Sequence, residues 1–138
     1  MVQRTLMIVK PDAVAAGNTG GIIARVEKAG FRLRGVRWVH MRARQAEEFY
    51  AVHRGQNFYP SLVEFMSSGP CVPMILEKAN AIDDLRAFIG NTDPALAAAG
   101  TIRKDFGSDK GKNAVHASDS VASASFEIPF FFETAGVV

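Results

Sequence analysis

Short apolar segments alternate along this chain with segments of helical periodicity, and their order limits the fold more than any other feature. Strand-like segments cover residues 5–9, 31–41, 71–76 and 114–116, and helical spacing recurs at 22–29, 45–52, 61–66, 82–89 and from 120 onward. Reduced to its core, this order is β-α-β-β-α-β with one helical insert. It predicts an α+β, ferredoxin-like sandwich, in which helices cover the faces of an antiparallel four-stranded sheet. The same fold carries enzymes, RNA-binding modules and regulatory domains, so it does not decide function.

Turn and cap signals set the predicted ends of these elements. Glycines within residues 17–21 predict a turn, and Gly90 predicts a helix end. Asn80 precedes a helical pattern and is expected to cap it. Pro129 falls within the last helical segment and removes a backbone donor, so we expect a kink or an early end there. Residues 91–109 show little periodicity and predict a long loop, and loops of that length are usually functional.

Composition narrows the class of protein. A chain of 138 residues, 48% of them hydrophobic, is long enough for one packed domain over residues 1–138. A single cysteine, Cys71, excludes an internal disulfide and a multi-cysteine zinc site, which favours a reducing, cytoplasmic location. We expect no membrane segment, because no apolar run approaches the ~20 residues of a span and the N-terminus lacks a signal-peptide pattern. The net charge of +2 is too small to indicate nucleic acid as the main partner.

Three histidines are candidates for chemistry, and His116 has the most informative surroundings. His40 lies inside a predicted strand and is interpreted as structural or as a surface residue, whereas the role of His53 stays open. His116 lies in the segment NAVHASDS, between a short strand and a helix start rich in capping groups. Such a junction holds a side chain rigidly and accessibly, and helix-start amides favour a nearby anion. Glu127, two turns into that helix, can return to orient the imidazole. On composition alone, an ordinary polar role for His116 is the simpler interpretation.

The sequence contains no phosphate-binding loop. Residues 107–113, GSDKGKN, are one residue short of the G-x-x-x-x-G-K-[ST] pattern and lack its hydroxyl, and G-x-G-x-x-G is absent. Any phosphate site must therefore use cationic side chains. The candidates are Lys10 at a strand end, Arg86 near a helix end and Arg103 in the long segment, although most arginines are solvated surface residues.

Residues 113–120 resemble the active-site signature of nucleoside diphosphate kinases, Asn-x-x-His-Gly/Ala-Ser-Asp. Further segments resemble the same family along nearly the whole chain: TLMIVKPDA at 5–13, Tyr50, FYPSL at 58–62, RAFIGNTDP at 86–94, GTIRKDF at 100–106 and S-x-x-x-E-I at 123–128. Because these matches are dispersed, the resemblance does not depend on one motif.

The resemblance implies a reaction and a set of site residues. A nucleoside triphosphate would phosphorylate His116 to a phosphohistidine of the pros type, which would pass the phosphoryl group to a nucleoside diphosphate; the residues alone do not say which nitrogen attacks. The implied catalytic residues are His116, Glu127, Ser118, Lys10 and Tyr50, and the implied nucleotide-binding residues are Lys10, Phe58, Arg86, Thr92, Arg103 and Asn113. Mg²⁺ is the implied cofactor, held mainly by the nucleotide phosphates rather than by protein ligands.

Within the implied nucleotide site, each group has its own part. The two arginines and Thr92 would grip the phosphates, while Lys10 and Asn113 would bind the ribose hydroxyls. Phe58 would stack on the base, and stacking tolerates any base because every base has a π face. Lys110 stands where relatives often place an apolar residue on the second face of the base, and its aliphatic stem is expected to cover it.

The resemblance also implies a homo-oligomer, either a hexamer or a tetramer. Residues 126–132 carry four phenylalanines, and Phe31 and Trp38 add further apolar area, so some of these side chains are expected to meet a partner. The alternative that all of them fit in one core stays open. The tail after Phe132 is short, which leaves few residues there for subunit contacts.

Two other functional classes compete with the enzyme. A nucleic-acid-binding module on the same sandwich is disfavoured, because the chain lacks the aromatic pair of an RNA-recognition signature. A regulatory relative without catalysis is disfavoured because the implied catalytic residues are present. Asn57 stands where many relatives have proline, and Ala117 replaces the commoner glycine, which the signature tolerates.

Overall fold

The computed structural model describes residues 1–133 and contains a four-stranded sheet. The strands are β1 (Val2–Val9), β2 (Arg32–Val36), β3 (Val72–Ala79) and β4 (Val115–Ala117). Their order across the sheet is β2-β3-β1-β4, and each neighbouring pair is antiparallel. The predicted ferredoxin-like α+β sandwich is therefore confirmed. Residues 134–138, within the tail for which the sequence predicts few subunit contacts, lie outside the described residues.

Helices cover both faces of the sheet. The α-helices are α1 (Pro11–Ala15), α2 (Thr19–Lys28), α3 (Ala43–Phe49), α4 (Tyr59–Met66), α5 (Ala81–Ile89), α6 (Ile102–Phe106) and α7 (Val121–Phe131), and two 3-10 helices cover Ala51–His53 and Pro94–Leu96. Met7 and Val9 of β1 pack with α2 and α5 on one face, whereas Leu6 and Ile8 pack with α3, α4 and α7 on the other. Burial on both faces explains why residues 6–9, the second half of β1, are all apolar. Within the described range, no helix is long and apolar enough to cross a bilayer.

The first helical region differs from the sequence prediction. Residues 17–21 do not form one turn, because α2 begins at Thr19 and includes the two glycines that follow it. The sequence pattern also gives no sign of α1, whose five residues are too few to show a period. Pro11 opens α1, and proline suits the first helical position because its φ is fixed and the missing amide would lack a partner there.

The second strand is shorter, and residues 91–109 are more ordered, than the pattern predicts. β2 ends at Val36 instead of residue 41, and an isolated bridge between Val39 and Cys71 continues the pairing. Pairing stops there because these residues lie opposite the start of β3. Residues 91–109 contain the 3-10 helix Pro94–Leu96 and α6. These helices are three and five residues long, so they are too short to show a periodic pattern in the sequence.

The Asn80 side chain does not cap α5 as expected, and α7 does not end at Pro129. Asn80 has a left-handed φ of 56°, and its side chain donates to Oδ1 of Asp84 at 3.1 Å instead of capping an amide. α7 continues through Pro129 for two residues to Phe131, whose buried ring lies 5.1 Å from that of Phe49. This aromatic packing offsets the hydrogen bond that proline removes.

The pairing of β4 with β1 positions the segment around His116. It aligns His116 with Ile8 and Val115 with Val9. β1 ends at Val9, and the amide of the following residue, Lys10, donates to the Ala114 carbonyl at 2.8 Å. Residues far apart in the sequence therefore meet where the two strands end.

Candidate active site

His116 is the middle residue of β4, and its ring packs against aromatic side chains from the end of α3. The ring centroid lies 5.4 Å from that of Phe49 and 5.8 Å from that of Tyr50, both in edge-on geometry. From α7, Oε1 of Glu127 lies 2.8 Å from Nε2 of His116. Ser118 Oγ donates to the same carboxylate oxygen at 2.7 Å. The ring is thus held in one orientation, while 18% of its side chain remains exposed.

The contact with Glu127 determines which nitrogen of His116 is free. An ionised carboxylate only accepts hydrogen bonds, so Nε2 must carry the proton and donate it. In neutral imidazole the other nitrogen, Nδ1, then keeps its lone pair. No hydrogen bond engages Nδ1 among residues 1–133. Nδ1 is therefore the nitrogen available to a ligand.

Tyr50 forms a neutral wall of the imidazole pocket. Its side chain is buried, and its hydroxyl lacks a hydrogen-bond partner in the described part of the chain. Burial, followed by the charge of Glu127, raises the pKa of the Tyr50 hydroxyl well above its ordinary value. The phenol therefore stays protonated at neutral pH.

Lys10 follows β1, and its ammonium group is buried beside Asn113. Nζ donates to Oδ1 of Asn113 at 2.9 Å, and Nδ2 of Asn113 donates to the Thr92 carbonyl at 3.0 Å. Burial, followed by repulsion from Arg103, lowers the pKa of Lys10 to about 8, although Asp12 opposes this shift. A buried cation that is hydrogen-bonded to a neutral amide is suited to an anionic ligand.

Two guanidinium groups flank β4. Arg103 is 4% exposed and donates to the carbonyls of Gly90 at 3.2 Å and Val115 at 2.9 Å. Arg86 donates to the Ala117 carbonyl at 3.3 Å. Burial, followed by repulsion from Arg86, lowers the pKa of Arg103 to about 10. Two cations held this close together favour a polyanion between them.

The other residues that the sequence predicts for this site lie at its rim. Thr92 is exposed and reaches the site through its carbonyl, which accepts the amide hydrogen bond described above. Phe58 is half exposed, and its ring lies 5.2 Å from that of His53. His53 in turn stacks on Tyr50 at 6.2 Å. Phe58 is therefore separated from the imidazole of His116 by two intervening rings.

Sequence reasoning misses three residues that the structure brings to the site. Phe49 is buried against the imidazole, and the sequence marks it only as one residue within the helical segment 45–52. His53, whose role the sequence leaves open, stacks on Tyr50. Asp12 accepts a hydrogen bond from the Ala114 amide at 3.1 Å. Asp12 lies in the family-like segment at 5–13, two residues after Lys10, and that placement is the signal that could have found it.

The charges that converge on this site suit phosphate rather than a protein-bound metal. The part of the chain that the structure describes has no group of three or more His, Cys, Asp or Glu side chains that could hold a metal ion. Lys10, Arg86 and Arg103 are cations, which bind phosphate oxygens. A divalent ion fits this donor set only as a complex with the phosphates of a bound ligand.

The chain matches one protein family over almost its whole length. The family model described as nucleoside diphosphate kinase matches residues 3–137. The chain belongs to the nucleoside diphosphate kinase family. Its relatives include the nucleoside diphosphate kinase of Chlorobium chlorochromatii (strain CaD3), which is 53% identical over 137 residues, with 99% of this chain and 98% of the relative covered. That of Prosthecochloris aestuarii (strain DSM 271 / SK 413) is 54% identical over 133 residues, with 96% and 94% covered.

Solved structures of the family share the fold closely. The nucleoside diphosphate kinase of Aquifex aeolicus superposes with a TM-score of 0.98 at 48% identity, and the match covers 100% of both chains. The enzyme of Halobacterium salinarum, solved in complex with CDP, superposes with a TM-score of 0.96 at 38% identity, covering 100% of this chain and 92% of that one.

Proposed function

We propose that this nucleoside diphosphate kinase transfers the γ-phosphate between nucleotides through His116. The Nδ1 lone pair attacks the γ-phosphorus of a nucleoside triphosphate, and the bond from that phosphorus to its bridging oxygen breaks. The bonding electrons leave with the nucleoside diphosphate, while the phosphoryl group stays on Nδ1 as a pros-phosphohistidine. A different nucleoside diphosphate then attacks that phosphorus through a terminal phosphate oxygen, the bond from phosphorus to Nδ1 breaks, and its electrons return to Nδ1. This step regenerates His116 and maintains the pools of nucleoside triphosphates.

The hydrogen bond between Glu127 and His116 is the observation that carries this proposal. It keeps the proton on Nε2, so the lone pair of Nδ1 is free to attack, and 18% of the side chain is exposed. Ser118 donates to the same carboxylate oxygen and thereby fixes the acid. The positive charge that develops on the imidazole during attack faces this carboxylate, which stabilises the transition state.

The nucleotide is held by the groups around β4. Arg86, Arg103 and Thr92 bind its phosphates, and the repulsion between the two guanidinium groups falls once a polyanion lies between them. Lys10 and Asn113, already joined by a hydrogen bond, bind the ribose hydroxyls, and Lys10 also reaches the transferring phosphate. The CDP complex of the Halobacterium salinarum relative supports a nucleoside diphosphate as ligand.

Phe58 supplies a face for the base at the rim of the site. Half of this residue is exposed, so a base can stack on it without first displacing protein. Stacking on an aromatic ring is tolerant of base identity, which accounts for broad nucleotide use.

The family acts with a divalent cation, and we propose Mg²⁺ for this enzyme. When bound, Mg²⁺ would supply positive charge that neutralises the phosphates during transfer. The protein's own part is to hold those phosphates with Lys10, Arg86 and Arg103, because no acidic cluster within residues 1–133 could hold the ion directly.

The enzyme is further proposed to be a cytoplasmic homo-oligomer, a hexamer or a tetramer. β2 is an edge strand of the sheet; Val36, its last residue, is 46% exposed, and Trp38, two residues later, is 65% exposed. Exposed apolar groups along an open strand edge favour pairing with another copy. The free, buried thiol of Cys71 fits a reducing compartment. Light scattering of the active protein should give a mass several times that of one chain, and a monomer mass would refute the assembly but not the chemistry.

Labelling of the protein tests the chemistry. Incubation with γ-labelled ATP and Mg²⁺ should give an acid-labile, base-stable label on the wild-type protein, and none on His116→Ala. His40→Ala serves as the control, because the His40 ring contacts the Ser67 carbonyl, just after α4, at 2.9 Å. Initial rates with varied donor and acceptor should give parallel double-reciprocal lines. Intersecting lines, or normal turnover by His116→Ala, would rule out a covalent role for His116.

A further inference from the structure

The residue two positions before His116 has an unfavourable backbone conformation. Ala114 is buried and has a φ of 73°, in the left-handed region that a residue with a Cβ atom rarely adopts. The Val115 amide donates to the Asn113 carbonyl at 2.9 Å, which closes a three-residue turn around Ala114. A turn of this kind with positive φ at its centre is rare and strained. Such strain persists only where the surroundings hold it in place.

Two contacts from the segment after β1 hold this turn. The Ala114 carbonyl accepts a hydrogen bond from the Lys10 amide at 2.8 Å. The Ala114 amide donates to Oδ2 of Asp12 at 3.1 Å. The other carboxylate oxygen of Asp12 is buried and has no hydrogen-bond partner among residues 1–133. One carboxylate oxygen of Asp12 is therefore removed from water without a hydrogen bond, while the other binds the amide of the strained turn.

The residues on each side of the turn belong to the proposed active site. Asn113, before it, accepts the hydrogen bond from the Lys10 ammonium at 2.9 Å. Val115, after it, leads directly into His116 and offers its carbonyl to Arg103 at 2.9 Å. A change at Ala114 would therefore move an amide that binds Lys10 and the strand that carries the imidazole.

We infer that Asp12 is a positioning residue for phosphoryl transfer. Its carboxylate holds Ala114 in the left-handed conformation, which places Asn113 beside Lys10 and orients the ring of His116. The inference rests on the proposed function and adds to it a group that does not touch the nucleotide. A purely structural alternative exists, since an acid in the first turn also stabilises a helix N-terminus, and Asp12 lies in the first turn of α1.

A rescue experiment separates the two roles. Four proteins are compared: wild type, Asp12→Ala, Ala114→Gly and the double variant. The measured quantities are the first-turnover rate of His116 phosphorylation with γ-labelled ATP and Mg²⁺, and the midpoint of thermal unfolding. Glycine adopts positive φ without steric cost, so at position 114 it removes the need for an anchor. Asp84→Ala is the matched control, because Asp84 is also a first-turn acid, of α5, but it contacts Lys78 at the end of β3.

Asp12→Ala should slow phosphorylation about 10-fold, which corresponds to about 1.4 kcal/mol. Adding Ala114→Gly should bring the rate back to within about 3-fold of that of Ala114→Gly alone, since the turn then forms without the carboxylate. Asp84→Ala should phosphorylate at the wild-type rate. If Asp12→Ala does not fold, Asp12→Ser replaces it, because its hydroxyl is polar but too short to reach the amide.

The outcomes distinguish failure of this inference from failure of the proposed function. A wild-type protein that takes no label on His116 would overturn both. A labelled wild type with an unchanged rate in Asp12→Ala would overturn the positioning role alone. So would a slow Asp12→Ala that Ala114→Gly does not rescue, because the loss would then lie in α1 and not in the turn.

Discussion

Replacement of Glu127 tests how the carboxylate supports the nucleophile. Its Oε1 atom accepts hydrogen bonds from Nε2 of His116 at 2.8 Å and from Ser118 Oγ at 2.7 Å. Because both bonds end on one oxygen, the amide oxygen of Glu127→Gln can accept both. That variant therefore preserves the geometry and removes the charge, whereas Glu127→Ala removes both.

The magnitudes follow from the strength of these hydrogen bonds. A net hydrogen bond to a charged group is worth about 1.5–3 kcal/mol, and one between neutral groups about 0.5–1.5 kcal/mol. Loss of the charge should therefore raise the barrier by about 1.4 kcal/mol, which slows phosphorylation about 10-fold. Glu127→Ala also leaves the Nε2 proton unpaired and frees the ring to change tautomer. The total loss of about 3 kcal/mol predicts a rate about 100-fold below wild type.

Rapid-quench labelling with γ-labelled ATP measures the first-turnover rate directly, and thermal unfolding checks that each variant is folded. Glu48→Gln is the control, since this acid is exposed on α3 and lies 3.9 Å from Arg44, a weak surface pair. The reasoning would be refuted by equal rates in Glu127→Gln and Glu127→Ala, because charge and geometry would then not contribute separately. A wild-type rate in Glu127→Ala would refute it altogether.

Three further changes have defined outcomes. Because burial lowers the pKa of Lys10 to about 8, kcat/KM should fall as the pH rises through about 8. Lys10→Met should be slow at every pH and should not show this fall. A pH profile that is unchanged in Lys10→Met would contradict the assignment. Arg4 and Arg34 lower the pKa of Glu77 to about 2. The stabilisation that this carboxylate adds to folding should therefore be complete above about pH 4.5 and should be lost as the pH falls to about 2. In denaturant titrations, the free energy of unfolding of Glu77→Gln should lack this fall at low pH. Phe58→Ala should raise KM about 10-fold for purine and pyrimidine nucleotides alike through lost stacking, and a loss confined to one base would argue against a general stacking face.

Much of the fold can be read from the sequence because it depends on local patterns. The apolar run in β1, the helical spacing in α2 and α5 and the order of the predicted elements were enough to predict the antiparallel sandwich, which the topology confirms. Elements of three to five residues, such as α1 and α6, escape the same reasoning because they contain too few residues to show a period. The continuation of α7 through Pro129 escapes it because aromatic packing, which is not local, offsets the lost hydrogen bond.

The chemical groups of the candidate site are visible in the sequence, but their arrangement is not. The sequence alone identified His116, the cationic candidates and Glu127 in the helix that follows His116, because residue types and short spacings carry that information. Only the tertiary structure decided that Lys10 meets Asn113 across 103 positions, that Nδ1 rather than Nε2 is free, and that Asp12 anchors the turn before β4. These contacts depend on the register of β4 against β1, which is set by hydrogen bonds between distant segments and leaves no periodic trace in either segment.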